Sequence, residues 1–119
     1  MSDFRKLVVW QKAHELMIKV HTQSGDIRGA PYLQLKNQII RAVMSIPANI
    51  VEGRAQSTDR EFSRFLGYAA ASASELEYHL LAAQDIGVLA ARKGKPLIQR
   101  AIEVRKMIIG LKKTLGGGL

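Results

Sequence analysis

The chain has 119 residues, 47% of them hydrophobic and 24% charged, which fits one globular domain and excludes both a disordered chain and two independent cores. It holds no cysteine, so disulfides, thiolate metal sites and thiol nucleophiles are excluded together. The formal net charge of +8 is unevenly placed: residues 1–58 carry eight Lys/Arg against four Asp/Glu, residues 59–89 two against five, and residues 90–119 eight against one.

The chain opens on Met1, Ser2, Asp3 and Phe4, without the basic-then-apolar order of a secretory signal, and the cytoplasm is the expected location. From Arg5 to about Gln23, Leu7 or Val9, then Trp10, Ala13, Leu16, Met17 and Val20 recur at three- and four-residue steps. That spacing predicts a first helix with one apolar face, stopped by Gly25. Pro31 suits the opening of a second helix, because its missing N–H is not needed there. This helix is expected to run to about Glu52 and to stop at Gly53.

The second helix carries more apolar surface than one bundle face requires. At about 100° per residue, Leu35, Ile39, Ala42, Val43, Ile46 and Ile50 share one sector, while Ile40, Met44, Pro47 and Val51 fall in the sector beside it. The two sectors cover about 200°, against the roughly 100° of an ordinary amphipathic helix. Either this helix is shielded by all three others or the second sector is an oligomer interface, and the interface is the favoured reading. The stretch from Ile39 to Val51 falls short of the roughly 20 apolar residues that span a bilayer, so no membrane partner is expected.

The remaining sector holds Gln38, Arg41, Ser45, Asn49 and Glu52, spaced three, four, four and three apart. Ser and Asn are poor helix formers and serve better as fixed hydrogen-bonding groups than as a wet surface. Ser72, Glu75 and His79 offer a counterpart on the third helix, with an ion pair between Arg41 and Glu75 as the natural arrangement. The row reads first as a structural network that sets helix register or subunit packing, and second as a ligand site.

Thr58-Asp59-Arg60-Glu61 forms a capping box, and Phe62, Phe65, Ala69, Ala73, Leu76, Leu80 and Ala83 mark the buried side of a third helix that ends at Gly87. After Gly94 and Pro96, the positions Leu97, Ala101, Val104, Ile108, Leu111 and Leu115 define a fourth. Strand alternation is absent and the connections are short. The sequence therefore predicts an all-α, antiparallel up-down-up-down four-helix bundle over residues 1–115, followed by a flexible glycine-rich tail at 116–119.

No catalytic constellation emerges. His14 and His21 are two helical turns apart, about 10.5 Å, too far to share a metal ion unaided. Glu75 and Glu77 point to different sides of a helix, and no glycine loop precedes a helix to cradle a phosphate. The expectation is a non-enzyme without metal or cofactor. The polyanion candidates are Arg92, Lys93, Lys95, Arg100, Arg105, Lys106, Lys112 and Lys113, which have few aromatic neighbours and so favour phosphate over base.

The segments QIIRAVMSIPANIVEG, EFSRFL and ASASELEYHL, with the opening FRKLVVWQKAHEL, resemble the four-helix-bundle proteins encoded in intervening sequences of bacterial 23S ribosomal RNA genes. The resemblance implies a homopentameric ring. Its relation to the accessory protein of diversity-generating retroelements, a basic pentamer, implies RNA or a protein partner such as a reverse transcriptase. The family's typical residues carry onto Gln38, Arg41, Ser45, Asn49, Glu52, Gly53, Ser72 and Glu75; Ala71 departs from it, standing where the family usually has glycine. The expected function is a homo-oligomeric module that binds RNA or DNA through basic surfaces without strong sequence specificity. The alternative is a scaffold or accessory protein whose main partner is another protein.

Overall fold

Three- and four-residue apolar spacing folds into four helices in the computed structural model, which describes residues 3–116. They are α1 (Val8–Gln23), α2 (Leu33–Arg54), α3 (Asp59–Ile86) and α4 (Ala91–Thr114), with single 3-10 turns at Phe4–Lys6, Ser24–Asp26 and Ala30–Tyr32. No strand occurs among the described residues. The helix backbones approach one another in the order α1, α2, α3, α4 and back to α1, and among the described residues the backbones of neither diagonal pair come close. The body is elongated, 44 × 22 × 20 Å. Of the glycine-rich end, Gly116 is a turn residue, and residues 117–119 lie outside the described residues.

The apolar stripes meet in one core. Ala13, Leu16 and Val20 of α1, Ile39, Val43, Ile46 and Ile50 of α2, Leu66, Ala73, Leu76 and Leu80 of α3, and Ala101 and Ile108 of α4 are buried together. Phe65, expected inside, is half-buried beside Gly53 of α2, while Ser63 is buried on the side of α3 that meets α4. The ends of α3 follow the local chemistry closely. Thr58 caps its start, accepting the Glu61 backbone N–H at 3.2 Å, and Gly87 ends it at φ +93°, where a side chain would be strained.

Two glycines depart from the expectation. Gly53 does not stop α2 but lies inside it, buried, one residue before its end at Arg54. A Cβ there would stand 2.8 Å from Phe65 Cβ and from Phe62 Cδ1, so glycine is what lets α2 approach α3. Gly94 likewise precedes no helix start, because α4 begins five residues earlier than Pro96, at Ala91. It is buried against the Gln84 side chain of α3, with a virtual Cβ 2.8 Å from Gln84 Cδ. Pro96, exposed near the helix start, is tolerated within the helix. Pro31 belongs to the 3-10 turn that leads into α2 rather than to α2 itself.

Candidate functional site

The α2–α3 seam holds the polar row. Ser45 Oγ and Ser72 Oγ are 2.6 Å apart, and Asn49 Nδ2 donates to the Ser45 carbonyl at 2.8 Å and to its Oγ at 3.1 Å. These three half-buried side chains satisfy one another across the two helices. That makes them a register lock, since sliding α2 by one residue would strand the hydroxyls. The rest of the row is not part of this knot. Glu75 pairs with His79 at 3.3 Å on its own helix and not with Arg41, and Arg41 is exposed and in no salt bridge among the described residues. The expected Arg41–Glu75 pair is therefore absent: one turn of α3 brings His79 to Glu75 at little entropic cost, whereas Arg41 would have to reach across the seam. Gln38 is half-buried and Glu52 exposed, its carbonyl accepting from Gln56 Nε2 at 3.1 Å.

The eight cations of the fourth helix divide into two sets. Three are engaged inside the chain: Lys93 with Asp26, Arg105 with Glu77 and Ser74, and Lys112 with Ser63 at 3.1 Å. The other five, Arg92, Lys95, Arg100, Lys106 and Lys113, are exposed and in no salt bridge among the described residues. Hydrogen bonding to Lys93 and the nearby charges of Lys93, Arg28 and Arg92 hold the Asp26 carboxyl below its ordinary range. Helix α4 also opens with no acidic residue in its first turn, so its first cations are not neutralised locally.

Two grooves flank α4. One, of about 430 Å³, runs between the C-terminal half of α1 and the N-terminal half of α4 and is lined by Ile18, Lys19, Thr22, Gln23, Arg92, Lys93, Pro96, Leu97 and Arg100, with no carboxylate among them. The other, of about 620 Å³, lies between α3 and α4 at the opposite end. Its Arg64 is already bound to Glu61 at 2.8 Å and to the Tyr68 hydroxyl at 2.7 Å. Among the described residues no three His, Cys, Asp or Glu side chains are grouped as a metal site would require.

The sequence profile of the 23S rRNA-intervening sequence protein family matches residues 5–110. The chain belongs to that family. In structure, this family member is similar to a protein of unknown function from the S23 ribosomal protein family of Bacteroides thetaiotaomicron, with a TM-score of 0.83 and 23% identity over 89% of this chain and 99% of that one. At that identity the likeness speaks for the fold alone. No curated protein matches the chain in sequence.

Within this intervening-sequence protein, the apolar sector of α2 beside the core is less open than its residue types suggest. Pro47 is buried inside the subunit, Ile40 and Val51 are half-buried, and Met44 is 49% exposed. The outer stripe is instead Leu33, Ile40, Met44 and Val51, seven, four and seven residues apart, with Leu33 57% exposed. Leu33 escaped the sequence reading because it sits at the helix start, where a period has no earlier turn to extend. His14 stacks on Trp10 with centroids 4.8 Å apart, and His21 is exposed. No helix among the described residues is long and apolar enough to cross a membrane. Lys19 was also missed. Its signal is weak but present: Lys12 and Lys19 lie seven residues apart on one side of α1.

Proposed function

We propose that this chain is a non-enzymatic, homo-oligomeric bundle of antiparallel up-down-up-down topology, assembled as a homopentameric ring, that binds RNA or DNA through basic surfaces without strong sequence specificity. The observation that carries the reading is the set of five exposed cations on α4 that form no salt bridge among the described residues, two of which, Arg92 and Arg100, line a groove with no carboxylate in its lining. Such charges raise the local concentration of a polyanion and release its counterions on contact. The contacts support the antiparallel order: Ser45 meets Ser72 while Gly53 meets Phe62 and Phe65, and Glu77 meets Arg105 while Ser63 meets Lys112, so that numbers rise on one helix as they fall on its neighbour.

The pentamer is supported by the family resemblance and by the Leu33–Val51 stripe. Five copies of +8 would give about +40, a field able to hold nucleic acid without base-reading contacts. A cysteine-free chain suits the reducing cytoplasm. The test is a titration of RNA and DNA against salt, with native mass spectrometry of protein purified without nuclease. The expected result is five subunits and an affinity that falls steeply as salt rises. Undetectable binding at low salt, or binding indifferent to salt, would refute the reading; recovery of a specific protein in place of nucleic acid would favour a scaffold.

A further inference from the structure

Resting on that nucleic-acid reading, we propose that the groove between α1 and α4 is the track for one strand of nucleic acid. In it Lys19, Arg92 and Arg100 hold consecutive phosphodiesters, and Asp26 acts as a resident competitor for the fourth cation, Lys93.

The groove has cations on both walls and no carboxylate in its lining, and it holds four cations against the two, Arg28 and Lys36, of the groove at the start of α2. Lys19 comes from α1, and Arg92, Lys93 and Arg100 come from α4. Arg92 and Arg100 are eight residues apart, about 12 Å along the helix axis. That length is enough for a short run of phosphates on one strand, and three groove cations, Lys19, Arg92 and Arg100, are in no salt bridge among the described residues. The lining between them is apolar, with Ile18, Pro96 and the buried Leu97, so the space offers bases a contact that needs no specific hydrogen bond. The groove lies on the surface above two packed helices, and its volume of about 430 Å³ is far below that of a duplex segment, so what enters it is one strand. The groove at the other end of α4 is the weaker candidate, because its Glu61 already occupies Arg64.

Asp26 lies at the edge of this groove in the 3-10 turn after α1, bound to Lys93. The Lys93 hydrogen bond, with the charges of Lys93, Arg28 and Arg92, holds its carboxyl below its ordinary range, so at neutral pH it is an anion that an incoming phosphate must displace from Lys93. The contact thus lowers affinity and keeps the groove from closing on any stray anion. Removing the carboxylate should tighten binding, the opposite of what loss of an ordinary structural ion pair would do.

The experiment uses the full chain and fluorescent oligonucleotides of one length, single-stranded and duplex, with a mononucleotide as a third probe; anisotropy is read over a range of salt. Lys19, Arg92 and Arg100 are exposed, so their alanine variants are expected to keep the fold and the assembly, as circular dichroism and light scattering would check. At about 0.7 per phosphate on a single strand, the triple variant should flatten the slope of log affinity against log salt by about 2. Asp26→Asn should steepen it by about 0.7 and raise affinity at low salt. Lys106→Ala with Lys113→Ala, outside the groove, should change it less than the triple variant does.

If the wild-type chain binds but the groove variants bind equally well while the Lys106/Lys113 variant loses affinity, the track is wrong and the broader function survives. If no probe binds the wild-type chain at all, the broader function fails, and the track with it. A preference for duplex over single strand, a mononucleotide binding as tightly as the oligonucleotide, or dissociation of the assembly in the triple variant would each overturn the single-strand track. An unchanged or weaker affinity for Asp26→Asn would overturn the competitor.

Discussion

Gly53 offers the sharpest test of how the helices are held, because its replacement by alanine sets two effects of known sign against each other. Within a helix, alanine is favoured over glycine by about 0.8–1.0 kcal/mol. Against this, the added Cβ would sit 2.8 Å from both Phe65 Cβ and Phe62 Cδ1 and 3.3 Å from the Phe62 carbonyl oxygen. Ordinary carbon contacts are about 3.5–4.0 Å. A ring can turn away, but Phe65 Cβ is tied to the backbone of α3, so the two helices must part by several tenths of an ångström. Overpacking of this kind costs about 1–3 kcal/mol. The net expectation for Gly53→Ala is a destabilisation of about 0–2 kcal/mol, or a fall in Tm of up to roughly 8 °C for a domain of this size. Gly110 is the internal control: it lies inside α4, exposed, with nothing within 4 Å of a virtual Cβ. Gly110→Ala should therefore gain about 0.8–1.0 kcal/mol. Urea unfolding followed by far-UV circular dichroism, at one protein concentration for both variants, separates them. If Gly53→Ala is as stable as Gly110→Ala, the close approach of α2 to α3 at this point is wrong.

Three further outcomes follow from the seam and the ion pairs. Ser45→Ala and Ser72→Ala should each cost about 1 kcal/mol, with the double variant costing clearly less than the sum because the two hydroxyls share one bond; strict additivity in a double-mutant cycle would contradict the seam. Arg41→Ala should change stability by no more than about 0.5 kcal/mol, since no ion pair is lost, and a larger loss in urea unfolding would restore the Arg41–Glu75 pairing. Asp26 has a folded pKa below its ordinary 3.8, so its contribution is complete above the unfolded value and is lost as pH falls through the lowered folded one. The urea midpoint of Asp26→Asn relative to the wild type should thus be constant above about pH 5 and converge only below about pH 4; a difference that changes between pH 6 and 8 would point to another group.

The four helices were legible in the chain because their stripes are local. The Thr58 cap and the Gly87 stop are equally local and fall where the sequence puts them. The errors share one physical origin. In sequence Gly53 and Gly94 look like breakers, yet inside packed helices they act through the neighbouring helix they allow to approach, which periodicity does not report. Pro47 was assigned outward for the same reason: its angle on α2 is known from sequence, but what covers that angle is not.

The candidate site divides along the same line. Ser45, Asn49 and Ser72 were recognisable as hydrogen-bonding groups by type and spacing, whereas Arg41 and Glu75, equally well spaced, do not meet. The excess charge of residues 90–119 was countable. Its division was not, because Lys93 finds Asp26 67 residues away and Arg105 finds Glu77 28 residues away. By itself the sequence determined which face of each helix is apolar, where α3 begins and ends, and how much charge α4 carries, all consequences of a repeat of 3.6 residues and of local backbone bonding. Only the tertiary structure decided which cations remain free and that Lys19 joins Arg92 and Arg100 across one groove. Those facts depend on the register between helices, which is set by side chains interlocking across distant segments and leaves no trace in the period of any one of them.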